Sequence, residues 1–397
     1  MADVLADNLA AQFLLDPAVT FLNHGSFGAC PRPVFAAYQN WQLRLERQPV
    51  AFLDPLRGYS AWMREAREAL ATELGADPAD LVGVMNATMG LNIVAQSLPL
   101  QPGDEILTTD HEYGALEKTW AYVARRTGAV IRTATVPLPL TRAEDFHAAI
   151  LAAITDRTRV LFLSHITSAT ALVFPIEGLI AEARARGIWT VIDGAHVPGH
   201  IPLTLDALGA DFYAGNCHKW LMAPKGAAFL YVRREWQAQM NPLVISHAWN
   251  PDPAAPGAFG NSTFVDALEM QGTRDPAAWL SVPDAIRFRH AHDWADVAAR
   301  CRDMAQDTAV RVARRTGLPA LSSPAFCAPQ MVAMPIPSCD PRAFQAQLMA
   351  EYGIEIPVFT WQDHHIARLS VQGYNTQSQL DLLVLALTHL LNLSAAA

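Results

Sequence analysis

The stretch "AGNCHKWLMAPKGAAFLYVR" (214–233) carries Lys219 and Lys225, two of only three lysines in a chain of 397 residues; Lys118 is the third. Arginine supplies the remaining fixed positive charge. An amine can lose its proton and act as a nucleophile or base, which a guanidinium in a protein cannot. Other reactive side chains follow apolar runs in the same manner. "VIDGAH" ends in Asp193, with His196 three residues later, and "AGNCHK" ends in His218 and Lys219. "LSHITS" offers His165, Thr167 and Ser168, while "VMNATMGLN" presents Asn86, Ala87, Thr88 and Met89 at a helix start. Singly, Asp193 reads as a turn or capping carboxylate, His218 as a half-buried histidine and Lys225 as a loop lysine. In this order, each after a strand pattern, they form a chemical set.

That set suits pyridoxal 5'-phosphate. The cofactor needs a lysine amine for its Schiff base and a carboxylate that keeps its ring nitrogen protonated. Its phosphate needs backbone N–H groups at a helix N-terminus. On this reading Lys219 is the covalent anchor and later moves the α-proton, and Asp193 pairs with the ring nitrogen. The "NATMG" turn (86–90) and His218 hold the phosphate, and Ser168 or His196 meets the phenolic oxygen.

The elements that must position these groups alternate along the middle of the chain. "EILTT", "AVIRTATV", "RVLFLSHI", "IWTVIDGAH", "ADFYAGN" and "GAAFLYVR" read as strands, several apolar enough to be buried on both faces. "ALEKTWAYVARRTG" and "GLIAEARARG" read as helices, the first closed by Gly128. Strands separated by helices predict an α/β fold with a mostly parallel central sheet, whose ligands sit beyond the carboxyl ends of the strands. The proline-rich "HAWNPDPAAPGAFG" (247–260) predicts a long loop. From about Pro276 helical patterns dominate, with "QMVAMPI" as a short strand and "QLDLLVLALTHLLNL" as a closing helix. The expected division is an N-terminal arm (1–22) lying near the small domain, a large domain (23–275) and a smaller α+β C-terminal domain (276–397).

Composition narrows the class. A chain that is 51% hydrophobic and 17% charged builds a large core, and its net charge of -9 argues against general nucleic-acid binding. No apolar run reaches membrane-spanning length, and "MADVLADNLAAQFLLD" carries acids where a signal peptide has basic residues. Five cysteines without a C-x-x-C pair argue against a disulfide framework or a thiolate metal site. A cytoplasmic protein with no membrane and no nucleic-acid partner is expected. "DHH" (363–365) reads as a loop or substrate rim rather than a metal fragment, so no metal is expected.

The motifs "LNHGSFGACP", "NATMGLN", "DHEYGAL", "SHITSATALVFPI", "DGAHVPG", "QGTRDPAAW" and "ARLSVQGYNT", with the Asp193…Lys219 segment, resemble the class V aminotransferase group of fold-type I pyridoxal-phosphate enzymes. Within it the chain looks most like the isopenicillin N epimerase-like branch, and the resemblance spans nearly the whole chain. It implies Lys219 as Schiff-base lysine, Asp193 at the ring nitrogen, and phosphate contacts from Ala87, Thr88, Asn216 and His218. It also implies a group stacked on the ring, His111 or alternatively Tyr113. Thr273 matches a position that reaches the neighbouring subunit's phosphate, implying a homodimer with shared active sites. Arg368 matches the arginine that clamps a substrate α-carboxylate, and Asn23 and His24 are expected on the substrate side. "PVFTWQDHHIARLS" lacks the cysteine that desulfurases carry ahead of that arginine, which speaks against persulfide chemistry. The resemblance implies an enzyme acting at the α-carbon of an amino acid or derivative, by epimerisation. A carbon–sulfur β-lyase or an aminotransferase is the alternative. The second acid of an epimerase would be Tyr113, His111 or a bound water.

Overall fold

The computed structural model describes residues 9–393, so the first eight residues of the expected N-terminal arm lie outside the described residues. Twelve strands are present among these: β1 (Thr20–Phe21), β2 (Leu81–Val84), β3 (Glu105–Thr109), β4 (Val130–Ala134), β5 (Thr158–Ser164), β6 (Trp189–Asp193), β7 (Phe212–Asn216), β8 (Ala228–Val232), β9 (Met331–Ile336), β10 (Ile354–Glu355), β11 (Val358–Trp361) and β12 (His364–Ser370).

The central sheet has seven strands in the order β2-β8-β7-β6-β5-β3-β4. Only β8 runs against its neighbours; β7, β6, β5, β3 and β4 pair in parallel. Side-chain alternation divides the strands between two cores. Val160 and Phe162 of β5 join Val191 and Phe212 on one face, while Leu161 and Leu163 join Ile192 and Tyr213 on the other. Burial on both faces explains why these strands read as continuous apolar runs rather than alternating ones.

A smaller three-stranded antiparallel sheet, β11-β12-β9, lies toward the C-terminus. It shares a separate core with the helices Trp294–Thr316, Pro341–Tyr352 and Gln377–Leu390. The N-terminal segment reaches this unit, since β1 pairs in parallel with β10 and Leu22 joins its core. The packing changes over later than Pro276. The helices Ala277–Leu280 and Val282–Ala291 carry Trp279, Val282, Ile286 and Phe288 into the core of the large unit. The change falls within Trp294–Thr316, where Trp294 belongs to the large core and Cys301, Ala305 and Val312 to the small one. Among the described residues no helix is long and apolar enough to cross a membrane.

Candidate active site

A cavity of about 560 Å³ opens where β2, β3, β5, β6 and β7 end, the edge at which open α/β sheets bind ligands. Asp193, the last residue of β6, lines it together with Ala195, His196, His218 and Lys219. Asp193 is only 4% exposed, and its Oδ1 accepts a hydrogen bond from the Ala195 N–H at 2.8 Å. Burial pushes this carboxyl up, against the Ala195 N–H and the Lys219 charge, which pull it down. Lys219 stands three residues past β7, its Nζ 2.9 Å from His196 Nε2. Burial and, secondarily, Arg368 push its amine down to about 7, with Asp193 opposing. Two glycines permit this close packing. A Cβ on Gly28 would run into the His218 carbonyl, and one on Gly194 into the Tyr213 ring.

At the other end of the cavity the helix Ala87–Ser97 presents its N-terminus. Asn86 caps it by accepting from Met89 N–H at 2.8 Å, and Asn216 Oδ1 accepts from Ala87 N–H at 2.9 Å. Among the described residues the Thr88 N–H has no hydrogen-bond partner, and Thr88 lies on the cavity wall. His218 is tied through Nδ1 to the Ala227 carbonyl at 3.4 Å, and Lys225 Nζ donates to the Gly28 carbonyl at 2.9 Å.

The opposite wall carries Arg368 of β12. Its Nη1 donates to the Ser168 carbonyl at 2.5 Å and lies 3.3 Å from Ser168 Oγ, while Nη2 donates to Ser26 Oγ at 2.9 Å. Its Nε is buried with no partner, and no carboxylate pairs with this guanidinium among the described residues. Burial pushes it down to about 10. A buried cation without a counter-charge is costly, and an anion entering the cavity would relieve that cost.

Of the residues singled out in the sequence, Ala87, Thr88, Tyr113, Ser168, Asp193, His196, Asn216, His218, Lys219 and Arg368 meet at this cavity. Others stand apart from its lining. His111 is buried behind it, with Nδ1 2.7 Å from Thr170 Oγ1 and its ring 4.4 Å from that of Trp361. Tyr113, by contrast, lines the cavity and is 46% exposed at its mouth. Asn23 donates to Glu355 Oε1 and accepts from Ser26, and buried His24 reaches the Lys219 carbonyl at 3.1 Å. They support Ser26 and Lys219 from behind. Met89 contributes only its capped N–H, and Thr273 is exposed away from the cavity. His365 contacts Ser338 and the Cys339 N–H, and His364 stacks on Trp361. No cluster of three or more potential metal ligands exists among the described residues.

Sequence reasoning missed Ser26 and Glu112. Glu112 is buried, accepting from Ser164 Oγ at 2.6 Å and Thr109 Oγ1 at 2.7 Å. Burial pushes it up to about 7 against those hydroxyls. The only signal available was its place beside His111 in "DHEYGAL", since its partners come from the separate strands β3 and β5.

Residues 31–383 match the family model "Aminotransferase class-V". The chain is 38% identical to the isopenicillin N epimerase of Streptomyces clavuligerus, covering 95% of this chain and 96% of that protein. It is 27% identical to an L-cysteine desulfhydrase of Arabidopsis thaliana over 86% of this chain and 78% of that protein. Among solved structures, the cysteine desulfurase CsdA of Escherichia coli superposes with a TM-score of 0.80 at 25% identity, covering 98% of each chain.

Proposed function

This chain belongs to the class V aminotransferase family, and from that premise we propose that it is a pyridoxal-phosphate enzyme that epimerises an amino acid or amino-acid derivative at its α-carbon. The observation that carries the reading is the meeting of Asp193, Lys219 and Arg368 in one cavity with a helix N-terminus whose Thr88 N–H is open. The residues fit the cofactor. Thr88 N–H is unsatisfied at an anion-favouring helix end, with His218 beside it, and Asp193 offers a buried carboxylate to a ring nitrogen. When bound, pyridoxal phosphate supplies an electron sink for charge left on the α-carbon.

The protein's own groups do the rest. Lys219 would hold the cofactor covalently, and its Nζ is the base that would take the α-proton. His196 Nε2 holds that amine in position from 2.9 Å. Arg368 receives the substrate carboxylate, and its planar fork fixes rotation about the bond to the α-carbon. For inversion the C–H bond breaks toward Lys219 and a proton returns from the opposite side. Tyr113, at the cavity mouth, is the acid we assign to that side. A second reading, β-elimination of a sulfur substituent, draws support from the desulfhydrase relative. None of the five cysteines lines the cavity, in keeping with a mechanism that uses no protein thiol.

Incubating the enzyme with candidate amino acids in deuterated water separates the readings. Epimerisation incorporates deuterium at the α-carbon with inversion, and elimination releases sulfide and a keto acid. Keto acid formed without elimination, and without inversion, would discard the epimerase reading in favour of transamination.

The catalytic unit we propose is a homodimer, with Thr273 serving the partner's phosphate site. The exposed Phe27, Met85 and Tyr113 around the cavity mouth are apolar surface that a second copy would cover. Mixing Lys219→Ala with Thr273→Ala protomers should restore activity, because each mixed dimer contains one site with both residues intact. Absence of rescue after proven subunit exchange would remove Thr273 from the shared site.

A further inference from the structure

Four hydrogen bonds behind Lys219 share one sense of donation. An indole N–H only donates, and that of Trp220 meets His196 Nδ1 at 3.4 Å. Nδ1 is therefore the lone-pair nitrogen, and neutral His196 carries its proton on Nε2. That Nε2 lies 2.9 Å from Lys219 Nζ. An N–H pointed at an amine requires a lone pair on the amine, and an ammonium has none. His200 is fixed by the same logic. The Gln330 backbone N–H donates to its Nε2 at 3.0 Å, so its Nδ1–H donates to the His196 carbonyl at 3.1 Å.

The indole is clamped in this orientation. His200 stacks on it with ring centroids 4.0 Å apart, and Arg289 Nη1 donates to the Trp220 carbonyl at 2.9 Å. Trp220, His196 and His200 are all buried, so the indole N–H has no water to turn to.

We propose that Trp220 is a positioning residue whose indole N–H locks His196 in the Nε2–H tautomer, and that this tautomer keeps the Lys219 amine uncharged in the cofactor-free protein. The use of that neutral amine rests on Lys219 being the covalent anchor; the tautomer itself does not. A free amine attacks a carbonyl carbon and an ammonium cannot, so the device readies the chain to capture its cofactor near neutral pH. The charged and titratable groups facing Lys219 are Arg368, Asp193, His196 and His218. Burial and Arg368 push the amine down, Asp193 pushes it up, and burial keeps His196 and His218 neutral. None of these charges depends on Trp220, so its contribution can be separated from theirs.

Trp220→Phe keeps an aromatic side chain and removes the N–H. His196 can then carry its proton on Nδ1 and offer a lone pair from Nε2 to an ammonium, so the charged amine gains a partner and titrates higher. Trace acetylation of cofactor-free protein across pH, read by peptide mass, measures this directly. With only three lysines, exposed Lys118 is an internal control. We expect the Lys219 midpoint to lie near 7 in the native chain and to rise by about one unit in Trp220→Phe, about tenfold less labelling on the acid side. Lys118 should not move. In a His196→Gln background, adding Trp220→Phe should change nothing. An unchanged midpoint in the single variant, or an equal shift in both backgrounds, overturns the proposal. Nitrogen-15 spectra of histidine-labelled native protein, with the His196 signals assigned by their loss in His196→Gln, give a check that needs no folded Trp220 variant. A proton found on Nδ1 of His196 also overturns it. Borohydride fixation of the cofactor to Lys118 or Lys225 would instead reject the anchor assignment and leave the tautomer result standing.

Discussion

The two walls of the cavity are built by opposite means. Asp193 and Lys219 end or follow adjacent parallel strands of one sheet, and their neighbours Ala195 and His196 belong to the same unit. Arg368 comes from the antiparallel sheet of the small unit and is held by Ser168 and Ser26, which lie outside that sheet. The first wall needs only the large unit's sheet to form, whereas the second forms only when the two units meet. Lys219, the base we propose, sits on the wall built by one sheet, and Arg368, the group proposed to orient the substrate, sits on the wall that depends on docking.

The comparison breaks most visibly at Asp193. Asp193→Ala should cost about 3–4 kcal/mol of transition-state stabilisation, the size of losing a main electrostatic partner. It should also loosen the cofactor, measured by kcat and by the absorbance retained after dialysis. Near-normal turnover would mean that the sheet wall does not hold the ring nitrogen.

Arg368→Lys tests the other wall. It should keep the cofactor and its colour while losing about 1.5–3 kcal/mol in kcat/KM for amino acids, the worth of a hydrogen bond to a charged group. Amines that lack a carboxylate should be poor substrates and nearly indifferent to the change. Good turnover of such amines by the native enzyme would remove the carboxylate clamp.

The last test lies behind the first wall and reads stability rather than turnover. Glu112 titrates near 7 in the folded chain, above its ordinary 4.5, so between those values the folded state binds more protons than the unfolded one. Its contribution is fully present below about 4.5 and is lost as pH rises through about 7. Glu112→Gln should therefore flatten the fall in stability between pH 5 and 8 by about 2.5 kcal/mol. Urea midpoints at the two pH values measure it, and an unaltered slope would mean that Glu112 is ionised throughout.

Legibility in the sequence followed the range of the interactions involved. The apolar runs of β5, β6 and β7 could be read because burial on both faces leaves a composition signal within a few residues. Gly128 was readable as a helix stop because the left-handed C-cap it adopts is a local preference. By contrast, the segment 277–291 looked like the start of the small domain, yet its apolar face packs into the large core. A helical apolar stripe says that a face is buried without saying against what. Ser26 was invisible for the same reason, since its partner Arg368 lies far along the chain.

By itself the sequence determined the types of groups and the order in which strands deliver them: a rare lysine, a strand-end aspartate, a capped helix start and a late arginine. Period and composition are local properties, and they suffice for an α/β sheet with reactive residues at its carboxyl edge. Only the tertiary structure decided which of these groups touch. It set His196 against Lys219 and turned Tyr113 rather than His111 toward the cavity. Among the described residues it also left Arg368 without a carboxylate and gave the Trp220 N–H one acceptor, His196. Those outcomes depend on atoms brought within 3–4 Å by packing between elements remote in sequence, where a shift of one ångström makes or breaks a hydrogen bond.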